Sequence, residues 1–200
     1  MPLRWALCCS CVYVGGLNAS GHEGDLPEAG LVLHHCTDIL AVNHLAKALI
    51  TDFDALPHHD RNFPRFVLLD PAARDLFQDW DRVAEEFVSH LRLATGRHPD
   101  DHLLSELVGE LCIKVTQFST WWAVHRVDQC AHGTWHLDHS LVGELNLSYE
   151  TLAQPAEPDL SICLYTVEPG SASEETLRIL ASRSALMGVR APRSSEAPSS

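Results

Sequence analysis

From Glu144 to Tyr149 the chain reads Glu-Leu-Asn-Leu-Ser-Tyr, with polar and apolar residues in strict alternation. Successive side chains of a strand point to opposite faces, so Leu145, Leu147 and Tyr149 share one side and Glu144, Asn146 and Ser148 the other. This is the pattern of a half-buried strand, and the surrounding sequence builds on it. A second strand is predicted near Leu160 to Val167. Pro169-Gly170 then makes a turn, and Ser171-x-x-Glu174 forms a capping box that opens a short helix burying Leu177 and Leu180. Just upstream, Thr134 to His139 reads as a strand with Trp135, Leu137 and His139 on one side.

The regular pattern begins at Leu31. Leu31 to Leu33 and Thr37 to Val42 are predicted as two strands joined by a turn, and Asn43 caps a helix through Leu49. Asn62 and Pro64 open a short helix over Phe63 to Leu69, which Asp70-Pro71 ends, because a residue before proline avoids the helical region. Trp80, Val83, Ala84, Phe87, Val88 and Leu91 recur at steps of three and four, the stripe of an amphipathic helix ending near Gly96. Leu103, Leu104, Leu107, Val108 and Leu111 repeat that stripe, and Phe118, Trp121 and Trp122 sit on a third helix. Residues 31–183 form one α/β domain, preceded by an irregular segment, 1–30, and followed by a disordered Ser, Ala, Pro and Arg tail, 184–200.

Charge and cysteine usage narrow the function. The formal net charge is -13, and residues 31–183 hold 11 Lys and Arg against 23 Asp and Glu. Such a body repels phosphate backbones, so direct nucleic-acid binding by this chain is disfavoured. Cys8, Cys9 and Cys11 cluster, whereas Cys36, Cys112, Cys130 and Cys163 are scattered. The odd count and irregular spacing read as buried free thiols in a reducing cytoplasm rather than a disulfide framework. The stretch from Met1 to Gly16 makes a poor signal peptide and is too short and interrupted to span a bilayer, so no membrane segment is expected.

Chemical motifs are scarce. His132, His136, Asp138 and His139 look like metal ligands, but strand alternation puts His136 and Asp138 opposite His139, so the group is split. His34-His35 and His58-His59 are adjacent pairs whose side chains diverge and read as surface or turn histidines. Glu85-Glu86 falls on the solvated side of its helix. With no nucleophile elbow, phosphate loop, dinucleotide fingerprint or metalloprotease helix, the chain is not expected to be an enzyme. A hydrolase would need a cleft where a histidine and a carboxylate or thiol converge, around His125, His132 and His139.

Several pieces taken together carry a family resemblance: Asp38-Ile-Leu-Ala-Val-Asn43, Arg61-Asn62 with Leu69-Asp-Pro-Ala-Ala-Arg74, Val108-Gly-Glu-Leu111, Trp122-Ala-Val-His-Arg-Val127, His132-Gly133, Val142-Gly-Glu-Leu145 and Tyr165-Thr-Val-Glu-Pro-Gly-Ser171. In this order they resemble the C-terminal ligand-binding domain of MmyB-like bacterial transcription regulators over about Leu31 to Ser182. The chain departs from the family pattern at Ser140, where proline is usual, and at Trp135, where a basic residue is common. The resemblance implies a PAS-like α/β domain, an antiparallel sheet covered by helices, enclosing an apolar cavity for a fatty acid or similar small ligand and needing no cofactor or metal. It also implies a helix-turn-helix domain ahead of the sensor, which residues 1–30 are too short and too irregular to supply. The expected ligand contacts are Phe118, Trp121, Trp122, Leu145, Leu147 and Leu164, with His125, Arg126 or Tyr165 holding a polar head group. A homodimer or a partner regulator would then connect sensing to transcription. The alternative is a non-catalytic interaction or dimerisation module with a solid core and a partner surface on the helices of Trp80 to Leu111.

Overall fold

In the computed structural model, which describes residues 29–124, 131–154 and 156–188, the alternating segment is a long central strand. The chain enters through β1 (Ala29–His34) and β2 (Ile39–Val42), followed by α1 (His44–Leu49) and two single 3-10 turns, Phe53–Ala55 and His58–Asp60. Five helices come next: α2 (Phe63–Leu69), α3 (Pro71–Leu76), α4 (Trp80–Arg97), α5 (His102–Lys114) and α6 (Phe118–Ala123). The chain closes with β3 (His132–His139), β4 (Gly143–Gln154), β5 (Glu157–Thr166) and α7 (Ala172–Gly188). All strand pairs are antiparallel, and the order across the sheet is β2-β1-β5-β4-β3. The expected α/β class with a helix-covered antiparallel sheet is what the chain forms.

Alternation decides which face of the sheet is covered. Trp135 and Leu137 lie opposite Leu147 and Leu145, while Tyr149 pairs with Tyr165 and Thr151 with Cys163. Most of these inward residues are buried with the apolar stripes of the helices in one core, and Glu144, Asn146 and Glu150 on the other face are exposed. The stripe of α4 buries all six of its predicted residues. In α5 the stripe is narrower than predicted, because Leu103 is 69% exposed and Val108 only partly buried. Helix α7 buries Leu177 and Leu180 but is longer than expected. It runs through Ser184 to Gly188, where a tail was predicted, and the rest of that tail and residues 1–28 lie outside the described residues.

Asparagine caps fix the joints between sheet and helices. The Asn43 side chain accepts from the Ala46 N–H at 2.9 Å, as predicted for the start of α1. Asn62 is buried, accepts from the Arg65 N–H at the start of α2, and donates to the Cys36 carbonyl at 2.9 Å and the Asp38 carboxylate at 2.8 Å. One side chain thus caps a helix and holds the β1–β2 turn. Asp70 ends α2 but, contrary to expectation, also caps α3, with its side chain accepting from Ala72 N–H and Pro71 at the first helical position. Six residues are too few to show a helical stripe. After α3, Phe77 bridges to Leu137 and the Gln78 N–H donates to the His136 carbonyl at 2.9 Å, so the helical layer pairs with the outer edge of β3. The predicted capping box of α7 forms in altered shape. Glu174 N–H donates to Ser171 Oγ at 3.3 Å, while the Glu174 carboxylate accepts from Gly170 rather than from Ser171.

Glu110 on α5 ties two helices together, accepting from Arg65 Nε on α2 at 2.9 Å and from Lys114 Nζ at 2.7 Å. Burial alone would raise its carboxyl, but the hydrogen bonds from Lys114 and Arg65 outweigh it and hold the group below its ordinary value. A depressed carboxylate contributes stability that is present above its unfolded pKa of about 4.3 and lost as pH falls through the lower folded value. Urea midpoints should therefore show wild type more stable than Glu110→Gln at pH 7, with the gap narrowing as pH drops below about 4. A gap independent of pH would break this account.

Candidate ligand-binding site

The inward face of the sheet is graded by side-chain size. On β4 it runs Leu145, Leu147, Tyr149, then Thr151 and Ala153; on β5 it runs Tyr165, Cys163, Ser161 and Asp159. Large residues fill the space under the helices at one end, and small or polar ones leave it open at the other. Across the gap lies the second half of α4, with Phe87, His90 and Ala94 facing in. The result is a cavity of ≈ 570 Å³ between α4 and the sheet, inside the range of roughly 300–1,000 Å³ typical of small-molecule sites. Ala153, Pro158 and Asp159, which line it, are exposed and mark its mouth.

Aromatic rings close the inner end. Trp135 stands against Tyr149 at a centroid distance of 4.6 Å, Phe77 and Tyr165 at 5.3 and 5.5 Å, and Phe63 and Phe87 at 6.0 and 6.1 Å. Its indole N–H donates to Glu86 at 3.2 Å. The expectation for Glu86 is corrected here: its side chain is only 9% exposed and lines the cavity, and only Glu85 faces solvent. Burial pushes the Tyr165 phenol well above its ordinary value, with Cys163 beside it acting in the same direction, and burial pushes the Cys163 thiol up to about 11. Both are neutral at physiological pH. The Tyr149 hydroxyl is buried and has no hydrogen-bond partner among the described residues.

The mouth carries the polar groups. His35 and Cys36 sit in the β1–β2 turn, whose next residue, Thr37, adopts φ 63°, a left-handed conformation costly for a β-branched residue. His35 Nε2–H donates to Asp101 Oδ2 at 2.6 Å, and the Cys36 thiol donates to the same oxygen at 3.3 Å. Asp101 also caps α5 by accepting from Leu104 N–H. Burial opposes ionisation of Asp101, but the hydrogen bonds from Leu104, His35 and Cys36 prevail and hold it far below the usual carboxylate range. Burial, then the contact with Asp101, pushes the Cys36 thiol up to about 12. Burial, then the neighbouring His35, lowers His34.

Of the described residues expected to contact ligand, only Tyr165 lines this cavity. Phe118 is core, stacked on Trp122 at 5.5 Å, and Trp121 meets Trp80 at 5.9 Å, so the α6 aromatics pack beside α4 rather than over the sheet. Leu145 and Leu147 face inward but belong to the filled end of the core. Leu164 pairs with Gly30 on the opposite face. His125, Arg126 and Cys130 lie outside the described residues. Cys36 and Cys163 are buried as expected, but Cys112 is exposed. His139 is buried and structural, with Nε2–H donating to the Ala48 carbonyl at 2.9 Å, while His136 points outward to Asp79 at 2.9 Å, so the His132–His139 group is divided as the alternation required. Among the described residues no helix is long and apolar enough to cross a membrane.

An antiparallel sheet roofed by helices over a largely apolar cavity is the architecture of a small-molecule binding domain. The chain belongs to the MmyB-like transcription regulator ligand binding domain family, whose sequence model matches residues 26–180. No curated protein matches it.

Gly133 tests the geometry of the aromatic end. It pairs with Tyr149, and a Cβ placed on it would lie 2.6 Å from the Tyr149 hydroxyl and 2.7 Å from the ring. Gly133→Ala must push that ring into Trp135 or the cavity, so the variant should lose about 1–3 kcal/mol in urea denaturation. Tyr149→Leu in the same chain should recover most of the loss. A fully stable single variant would show that Tyr149 does not stand over Gly133.

Proposed function

We propose that this domain senses an apolar small molecule carrying one polar head group, a fatty acid or a similar acyl compound, on behalf of transcription regulation. The observation that carries the reading is the ≈ 570 Å³ cavity under α4, walled by Leu33, Phe63, Phe87, Ala94 and Trp135. Apolar walls supply affinity, and a few polar groups fix orientation. The polar end of the cavity is its mouth, where His34, His35, His98 and Arg97 line the rim and suit a carboxylate. The acidic surface of the domain supports a sensing role rather than contact with nucleic acid. The reading as an interaction module with a solid core fits less well, because space of this size under α4 is what such a core would fill.

Organic extraction of the purified protein followed by mass spectrometry should release an acyl compound, and delipidated protein should take up a long-chain saturated fatty acid with a change in tryptophan fluorescence. Ala94→Phe, which fills the cavity from α4, should weaken uptake at least tenfold. If delipidated wild type takes up no acyl ligand, or Ala94→Phe binds it as well as wild type, the proposal fails.

A further inference from the structure

We infer that His35, His98 and Asp159 form a binding site for a divalent transition-metal ion of the zinc class at the mouth of the cavity. The three residues come from the β1–β2 turn, the residue after α4, and β5, and their ligand atoms all lie within 4.8 Å of one another. His35 Nδ1 and His98 Nε2 stand 3.9 and 3.6 Å from the same oxygen, Asp159 Oδ1. These gaps exceed hydrogen-bond length. Two ligands on one tetrahedral ion at about 2.0–2.2 Å stand about 3.3–3.6 Å apart, so the His98 gap already fits and the His35 gap closes with a shift of a few tenths of an ångström. The His35 and His98 rings are stacked at 4.1 Å, which sets the two imidazoles side by side.

The orientation of His35 is the second line of argument. Its Nε2 is held by Asp101 at 2.6 Å, which leaves Nδ1 turned toward Asp159. Nδ1 is buried and has no hydrogen-bond partner among the described residues. A metal cation between Nδ1 and the carboxylate would give both atoms a partner. A ligating histidine that donates its other N–H to a carboxylate is the common arrangement around protein-bound zinc, because the outer carboxylate fixes tautomer and ring angle. Asp101 is itself anchored as the cap of α5. Cys36 is close by, but its thiol is taken by Asp101, which leaves two histidines and one carboxylate as the donor set. Two imidazoles with a carboxylate suit zinc or iron(II) rather than calcium or magnesium. Three protein ligands leave a coordination position open, and since all three line the cavity, that position is reachable from inside it. The inference does not depend on what occupies the cavity.

The test uses the full chain, stripped with chelator, with Cys8, Cys9 and Cys11 replaced by Ser so that their thiols do not compete. Calorimetry with Zn²⁺ alone should show one equivalent per chain. His98→Ala and Asp159→Asn, both at the rim, should each weaken binding at least tenfold while circular dichroism remains that of the parent. Asp101→Asn should weaken it roughly 10–100-fold through the orientation of His35. His136→Ala, on the far face of β3, should bind as the parent does. Co²⁺ substitution should give ligand-field absorption without a thiolate charge-transfer band. Absence of a stoichiometric equivalent, unchanged affinity in both His98→Ala and Asp159→Asn, or a thiolate band overturns the assignment.

Discussion

The fold hangs on the indole of Trp135. From one position on an edge strand it touches Phe63 of α2, Phe77 after α3, Phe87 of α4, Tyr149 of β4 and Tyr165 of β5. Each such aromatic pair adds roughly 0.5–1.5 kcal/mol beyond area burial, so this one side chain joins the helical layer to the sheet at the far end from the mouth. The polar N–H, which burial would otherwise leave without a partner, goes to Glu86, whose side chain is only 9% exposed. The arrangement explains why a glutamate lies on the inward side of an amphipathic helix. It also explains why the position that departs from the family pattern, a tryptophan where a basic residue is common, is fully inside.

Around that cluster the sequence reads well where one residue type has one physical meaning. Alternation in Glu144–Tyr149 fixes both the strand and the side it buries, because no other element has period two. The six-residue stripe of α4 and the caps Asn43, Asn62 and Ser171 are legible for the same reason. Where a residue serves two elements, reading along the chain fails. Asp70-Pro71 is both the end of one helix and the start of the next, and only the stop was visible.

The site was harder to read because a cavity is made by what is small. Large aromatics and leucines are equally good as core and as pocket wall, so choosing Phe118, Trp121, Trp122, Leu145 and Leu147 by type selected the filled half of the interior. The usable signal was the decline along the inward positions of β4, from Leu147 and Tyr149 to Thr151 and Ala153. The rim cluster was invisible for another reason. His35, His98 and Asp159 are far apart in sequence and meet only through the β1–β5 pairing and the end of α4, so no spacing rule connects them.

The grading of the inward face has a thermodynamic meaning. Because the inner wall of the space is the ring that joins helices to sheet, any molecule that packs against it adds contacts to the same cluster that holds the domain folded. Binding to the folded state alone stabilises by RT ln(1 + [L]/Kd), about 2.7 kcal/mol at a hundredfold excess over Kd. A domain with stability in the usual range of about 5–15 kcal/mol would thus register its ligand as a sizeable fraction of its own persistence. For such a protein, occupancy and lifetime in the cell become two readings of one equilibrium.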